Sequence, residues 1–290
     1  MNKKSDNNVH IHGFVNDVRI NASEDGKNFI NVNIATYEQY KNNAGETEKS
    51  YSYHTVNVVS KNEKFVNEFK NVQAALAENY ENRGKDGFEP KVFKASVDGK
   101  LVTKENERDG VKYYNQIVVA NEEDFKLGAK RQEGESMNTA SFKGNIADIK
   151  MMEGYALISV ATHYYAPGES EIHTGETKPY TEKTSFVQTR LNESFRPKTF
   201  EALKSGELAV GDFIEVRGQM HNNNYTDKNG IKRYGIVVDL NKVELIAKKK
   251  QEEVKAEAKK EEKQPAKKAT SAKKATSAKK TAEKKAGRKM

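Results

Sequence analysis

Apolar and polar residues alternate in short runs along the first part of the chain. Turn-forming clusters rich in Gly, Asn, Asp and Lys, such as Asp25-Gly26 and Asp109-Gly110, separate the runs. Alternation with a period of two is typical of strands that have one buried face. The pattern predicts five strands, at about Val9–Ile20, Phe29–Tyr37, Tyr51–Ser60, Val92–Val102 and Val111–Ala120.

The segment between the third and fourth predicted strands has a different spacing. From Glu63 to Tyr80, apolar residues such as Phe65, Phe69 and Val72 recur at three- and four-residue steps, as on one face of a helix. Five strands with a helix between the third and fourth is the order of an OB fold, a five-stranded Greek-key barrel. The first part of the sequence therefore predicts one OB-fold barrel.

The second half of the sequence repeats this plan in the same order, with a shorter connector where the first copy has its helix. The matching segments are His10–Val18 with Ser141–Ile149, Ile34–Thr36 with Val160–Thr162, Val97–Gly99 with Val216–Gly218, and Gly110–Tyr114 with Gly230–Tyr234. Because a barrel tolerates a change of loop length, the repeat predicts a mainly β fold of two tandem OB-fold barrels.

Changes in composition give the domain boundaries. The first barrel is expected at residues 1–128, a polar linker without periodicity at 129–138, and the second barrel at 139–247. Residues 248–290 form a tail rich in Lys and Ala, in which Lys267–Ala272 recurs as Lys273–Ala278. Such a segment buries too little apolar surface to offset the entropy of ordering, so we expect it to be disordered.

The net charge of +8 is concentrated in the tail. Residues 248–290 hold 17 Lys and Arg against 6 Asp and Glu, a net of +11, which leaves the rest of the chain at −3. The tail could supply sequence-independent affinity for phosphates, since each neutralised phosphate releases counterions. The alternative is a solvated tether, but we favour contact with nucleic acid, because the slightly negative body leaves the tail as the main source of long-range attraction. A role for the body in binding an anionic polymer must therefore rest on particular side chains.

Several classes of protein are excluded by composition and motifs. The chain has no Cys, which rules out disulfides, thiolate metal sites and cysteine nucleophiles. His10 and His12 share a strand face, but no third residue has a spacing that completes a metal site. No phosphate-binding glycine loop, nucleophile motif, signal segment or long apolar run is present. The sequence predicts a cytoplasmic, nucleoid-associated protein that is not an enzyme and uses no cofactor or metal.

Aromatic residues lie at the polar positions of the predicted second and third strands, whose outer face forms the oligonucleotide groove of OB folds. In the first copy these are Tyr37, Tyr51 and Tyr53, and in the second copy they are Tyr165, Tyr180 and Phe186. Unpaired bases stack on such rings without regard to sequence. A single tyrosine could instead pack in the core or in a dimer interface.

Four segments of this pattern resemble the bacterial single-stranded DNA-binding protein family. They are Ile34–Tyr40, Tyr53–Val59, Val210–Gly218 and Tyr225–Tyr234, of which the last, a hairpin, is the most specific. The resemblance places Tyr40 and Tyr53 where the family has base-stacking tryptophans, and Tyr225 at another stacking position. With Tyr234, these residues complete the set of predicted stacking residues.

The resemblance also has departures. The chain has no Trp, Glu105 stands where the first copy should carry a hairpin aromatic, and Ala166 stands near the position that matches Tyr40. The family usually ends in an acidic tail with a hydrophobic tip that recruits other enzymes, whereas this chain ends Ala286–Met290 with two basic residues. Because the family tends to assemble four OB folds, the resemblance implies a homodimer.

The predicted phosphate contacts are basic residues in or beside the hairpins and groove strands. They are Lys41, Lys104, Lys112, Arg190, Arg217, Lys228, Lys232 and Arg233. Together the sequence predicts a protein that binds and protects single-stranded DNA in replication, recombination or repair, with contacts to RNA or duplex DNA through the tail. Two alternatives remain: a nucleoid-type duplex binder driven by the tail, and an OB-fold scaffold that binds proteins.

Overall fold

The first half of the chain folds as a closed five-stranded barrel. The computed structural model describes residues 4–42, 44–108, 110–128, 136–166, 181–226, 230, 232–233 and 235–249. The elements of the first half are β1 (Asp6–Ala22), β2 (Asn28–Lys41), β3 (Thr47–Ser60), α1 (Glu63–Glu81), β4 (Lys94–Arg108), β5 (Val111–Ala120) and the short β6 (Phe125–Leu127). The strands pair in the closed ring β1–β2–β3–β5–β4, with β3 and β5 parallel. The predicted order, with a helix after the third strand, is confirmed.

The second half forms a second ring of the same kind. Its elements are β7 (Met137–Met152), β8 (Tyr155–Ala166), β9 (Thr181–Asn192), α2 (Pro197–Lys204), β10 (Phe213–Asn222), β11 (Tyr225–Thr226), β12 (Lys232–Arg233) and β13 (Ile236–Ala247). Strands β7, β8, β9, β13 and β10 close the ring, and β9 and β13 are parallel. As predicted, the connector between the third and fourth strands is shorter here than in the first half, and its helix is shorter too. The fold class is therefore mainly β with two OB-type barrels, called barrel 1 and barrel 2 below.

Each barrel is filled by one side of its strands and closed by its helix. In β3 every second residue from Ser52 to Ser60 is buried, among them Val56 and Val58. Phe69 of α1 is fully buried, and its ring packs edge-on against Phe125 with 5.0 Å between the ring centroids. The side chain of Asn62 caps the start of α1 by accepting the backbone N–H of Lys64.

The two barrels are joined edge to edge by their first strands. Strands β1 and β7 pair antiparallel from Asp6 opposite Lys143 to His12 opposite Met137. Because both strands also belong to their own barrels, one continuous 11-stranded sheet runs through both. Strand β7 begins at Met137, while residues 129–135 of the expected linker lie outside the described residues.

Side-chain hydrogen bonds cross this joint in matched pairs. Asn7 of barrel 1 donates to Thr162 Oγ1 of barrel 2 at 3.1 Å, and Asn138 of barrel 2 donates to Thr36 Oγ1 of barrel 1 at 3.0 Å. The four residues are buried, and both pairs occupy equivalent positions of the repeat. Since buried amides must be paired to avoid a desolvation cost, these contacts fix how the two barrels meet.

The expected disordered tail falls almost entirely outside the described residues, which end at Lys249. At that end, the pKa of the buried Asp212 carboxyl is lowered, because backbone N–H donors of Lys249 and Ala209 and the ammonium of Lys248 outweigh the effect of burial. The chain leaving β13 is thereby bound to barrel 2. Neither helix in the described part of the protein is long and apolar enough to cross a membrane.

Candidate nucleic-acid interface

The outer surface of β2 and β3 in barrel 1 is polar in its middle and aromatic at its ends. The side chains on this side, which we call the outer face of barrel 1, are Phe29, Asn31 and Asn33 of β2 and Tyr51, Tyr53, Thr55, Asn57 and Val59 of β3. Phe29 stands opposite Val59 and Tyr53 stands opposite Ala35. Phe29 and Ala35 are six residues apart on β2, so at about 3.3 Å per residue the rings of Phe29 and Tyr53 are separated by roughly 20 Å along the strands.

Tyr53 is a half-exposed ring on a backbone that is fixed from the other barrel. Its side chain is 45% exposed. The backbone N–H of Tyr53 donates to Oδ1 of Asn222 at 2.7 Å, and Nδ2 of Asn222 donates back to the Tyr53 carbonyl at 3.1 Å. Strand β10 of barrel 2 thus fixes the backbone that carries this ring.

Phe186 is the matching ring of barrel 2. It stands opposite Ala161 in the β8–β9 pair as Tyr53 stands opposite Ala35 in the β2–β3 pair, and it is 50% exposed. The Phe186 carbonyl accepts a hydrogen bond from Thr103 Oγ1 of barrel 1 at 2.9 Å. Each barrel therefore presents an aromatic ring at the same place, and the fourth strand of the opposite barrel positions it.

Two further predicted rings are exposed on the β2–β3 hairpin. Tyr40 is 48% exposed and Tyr51 is 51% exposed. The hydroxyl of Tyr40 donates to Oε2 of Glu48 at 2.6 Å, which raises the pKa of the phenol and lowers the pKa of the carboxyl. The contact holds the Tyr40 side chain against its neighbouring strand.

Tyr37 differs from the expectation of an exposed ring, because it is only 9% exposed. Its ring lies between Phe14, at 6.3 Å, and Tyr51, at 5.9 Å between centroids, with Nζ of Lys49 4.4 Å from its centre. Its backbone N–H donates to Ser136 Oγ just before β7. Strand parity alone could not show this, since Phe14 and Ser136 are far from Tyr37 in sequence. Tyr37 supports the exposed ring of Tyr51.

A groove of about 700 Å³ lies beside Tyr53 on the outer face of barrel 1. Its lining is polar and rich in amides: Asn16, Asp17, Arg19, Asn21, Asn31, Asn33, Tyr53 and Thr55. Arg19 and Asp17 form an ion pair at 2.9 Å, so the two charges of the lining compensate each other. Sequence reasoning missed this groove, although asparagines at alternate positions of β2 were a usable signal. It also missed Phe29, which is 44% exposed on the same face.

The predicted phosphate contacts whose side chains the structure describes fall into two groups. Lys41 and Lys104 are exposed. Arg190, in contrast, binds both carboxylate oxygens of Asp239 at 2.5 and 2.6 Å, which raises its pKa. Arg217 is bound to Glu215 at 2.8 Å and lowers the pKa of that carboxyl. Both arginines therefore have a carboxylate partner already.

The remaining predicted site residues have no described side chain. The backbones of Tyr165, Tyr225, Lys112, Lys232 and Arg233 lie in β8, β11, β5 and β12. Tyr180, Lys228 and Tyr234 lie outside the described residues.

His54 is the buried titratable group beneath the outer face of barrel 1. Its Nε2 lies 2.8 Å from Thr36 Oγ1, and burial, with a smaller contribution from the charge of His221, lowers its pKa to about 4. The imidazole is neutral at neutral pH and does not reach the surface. Among the described residues, no group of three or more His, Asp or Glu side chains could hold a metal ion.

No protein-family model and no curated protein matches the sequence. Solved structures do match. The wild-type single-stranded DNA binding protein from Thermus aquaticus is 18% identical, with a TM-score of 0.52 over 85% of this chain and 96% of that one. A deletion variant of the same protein gives the same identity and TM-score over 85% of this chain and 97% of that one. This similarity establishes the mainly β fold across both barrels.

Proposed function

We propose that the protein binds and protects single-stranded DNA, largely without regard to sequence, during replication, recombination or repair. Unpaired bases stack on the exposed rings, Lys and Arg side chains contact the phosphates, and no covalent step takes part. The observation that carries the proposal is the pair of half-exposed rings at equivalent positions, Tyr53 in barrel 1 and Phe186 in barrel 2.

Stacking explains why the ligand is single-stranded. Every base has a flat π surface, and stacking on an aromatic side chain contributes about 1–3 kcal/mol per base whatever the sequence. In a duplex those surfaces are covered by neighbouring base pairs. A face with spaced rings and a polar surface between them therefore favours unpaired strands.

The distribution of charge supports different roles for the barrels and the tail. Residues 1–247 carry a net charge of −3, whereas residues 248–290 carry +11. The barrels then supply the preference for unpaired bases, and the tail supplies attraction to phosphates that does not depend on strandedness and weakens with salt. Contacts to RNA or duplex DNA arise from the tail in this scheme.

A titration with one mixed-sequence oligonucleotide, single-stranded and as a duplex, tests the proposal. The chain shortened to residues 1–249 should keep its preference for the single strand. The double variant Tyr53→Ala/Phe186→Ala should weaken single-strand binding by at least about 30-fold, from two lost stacking contacts. Tyr80→Ala is the matched control, because Tyr80 is 81% exposed on α1, away from the outer face of barrel 1.

Three results would count against the proposal. Equal affinity of the shortened chain for single strand and duplex would contradict the stacking mechanism. Loss of all binding on shortening would favour the tail-driven duplex binder instead. If the double variant Tyr53→Ala/Phe186→Ala folds and binds DNA as tightly as the unmodified protein, the protein-binding scaffold is favoured.

The proposal includes a homodimer, which would bring four barrels together. Light scattering of the full-length chain at low salt and at high salt tests this point, and a mass of one chain at both would contradict it.

A further inference from the structure

The amides of the outer face of barrel 1 and of the neighbouring β1 form two hydrogen-bonded pairs. Asn31 stands opposite Asn57 across the β2–β3 pair, and Asn33 stands opposite Thr55. Nδ2 of Asn57 donates to Oδ1 of Asn31 at 2.8 Å, and Nδ2 of Asn16 donates to Oδ1 of Asn33 at 3.3 Å. The amides therefore hold one another in place along the groove.

Each of the two groove amides on β2 has a donor without a protein partner. Among the described residues, Nδ2 of Asn31 and Nδ2 of Asn33 donate to no protein atom. A side-chain amide nitrogen carries two N–H donors, which can bind the acceptor atoms of a ligand. Both donors belong to residues that line the groove together with the ring of Tyr53.

We infer that this groove binds the hydrogen-bonding edges of unpaired bases through the side-chain amides of Asn31 and Asn33. The inference rests on the proposed function and identifies how barrel 1 contacts its ligand. A base stacked on Tyr53 lies about 7 Å from Thr55 and the opposing Asn33, since successive residues on one side of a strand have that spacing.

The chemistry of a carboxamide suits any unpaired base. Each of these amides has an unused donor, and its oxygen, which already accepts one hydrogen bond, keeps a second lone pair. Each of the four bases has an edge with an acceptor beside a donor. Edge contacts of this kind therefore raise affinity without selecting a sequence. In a duplex the same edges are used in base pairing, so the contacts favour single strands for a second reason besides stacking.

The charge of the groove indicates a base rather than a phosphate as its occupant. Its two charged residues, Asp17 and Arg19, are paired with each other at 2.9 Å. A phosphate would need an uncompensated cation or several converging N–H donors. The groove lining offers amides, a hydroxyl and one ring instead.

Barrel 2 has different residues at the matching positions. The β8–β9 register places Leu157 opposite Arg190 and Ser159 opposite Gln188, where barrel 1 has its asparagines and Thr55. Ser159 is buried, and Arg190 is bound to Asp239. The two barrels therefore contact a strand differently, and amide recognition of base edges belongs to barrel 1.

Oligothymidylate and an oligonucleotide of equal length that carries difluorotoluene in place of each thymine test this inference. The analogue has the shape of thymine and stacks, but its edge forms almost no hydrogen bonds. The full-length protein should bind oligothymidylate about tenfold more tightly than the analogue, as expected for two modest hydrogen bonds. The variant Asn31→Ala/Asn33→Ala should reduce this ratio to about twofold by weakening binding of oligothymidylate.

The control is Asn67→Ala/Asn71→Ala, two exposed positions of α1, which should keep the ratio of the unmodified protein. Asn33→Ala alone is a milder change and should give an affinity ratio between those of the unmodified protein and the double variant. Far-UV circular dichroism checks that each variant is folded. A ratio near one for the unmodified protein overturns the inference but leaves single-strand binding intact. A folded groove variant that keeps the tenfold ratio also overturns it. Failure to bind either oligonucleotide overturns the proposed function as well.

Discussion

Replacement of Asn138 by alanine tests how strongly the two barrels are held together. The side chain of Asn138 is 4% exposed. Its Nδ2 donates to Thr36 Oγ1 in barrel 1 at 3.0 Å, and its Oδ1 accepts the backbone N–H of Met220 at 2.6 Å. Alanine removes both contacts while the backbone pairing of β7 with β1 is unchanged.

The cost of this change follows from the groups left behind. The N–H of Met220 loses its acceptor in a buried place, which costs about 1–3 kcal/mol. Thr36 keeps its contact with His54, so the loss there is about 1 kcal/mol. The free energy of unfolding should therefore fall by about 2–4 kcal/mol, a large part of the roughly 5–15 kcal/mol typical of a folded domain.

Urea unfolding followed by circular dichroism measures this difference. Asn145→Ala is the control, because Asn145 lies in the same strand but is exposed, and its loss should stay within about 0.5 kcal/mol. A double-mutant cycle of Asn138→Ala with Thr36→Val should give a coupling of about 1 kcal/mol across the joint. A loss below 1 kcal/mol for Asn138→Ala, equal to that of the control, would refute the reasoning.

Three further changes test other features. The pKa of His54 is about 4 in the folded protein against 6.5 when unperturbed. The unfolded chain therefore binds the extra proton, and stability is lost as pH falls from about 6.5 towards 4. His54→Val introduces the residue type found at the equivalent Val187 of barrel 2, and it should reduce the loss of unfolding free energy that urea unfolding measures between about pH 7 and pH 4.5. Gly144→Ala would place a methyl group against a backbone carbonyl of the next strand and should lower the thermal unfolding temperature, with a cost of about 1–3 kcal/mol. Arg190→Met should lower the free energy of unfolding by about 1 kcal/mol, because its contacts with Asp239 are lost. It should leave the salt dependence of DNA binding unchanged, whereas loss of a phosphate contact would reduce the slope of log affinity against log salt concentration by about 0.7.

The strands and the barrel order could be predicted because they depend on local patterns. Alternating burial in β3 and three- to four-residue spacing in α1 are both visible in the sequence. The joint between the barrels could not be predicted. Contacts such as Asn7 with Thr162 join residues far apart in sequence, and no local pattern shows which strand edges meet.

The candidate site was predictable to a smaller extent. The rings of Tyr53 and Phe186 lie at polar strand positions, and the structure shows both half-exposed. Tyr37 has the same parity, but neighbours from β1 and from the start of barrel 2 cover it. Phe29 was missed because an apolar residue near a strand end fits either side of a sheet. The amide groove depends on three strands converging, which a one-dimensional pattern does not reveal.

The two barrels belong to one chain, so the residues on the two sides of their contact can differ. When two identical subunits associate, one sequence must serve both halves, and every substitution appears twice. Here Asn222 and Thr103 hold equivalent rings with different atoms, and a substitution alters one half alone. The halves were thus free to diverge, and a polymer lying across both meets unlike surfaces in a fixed order, so that its two ends are not interchangeable.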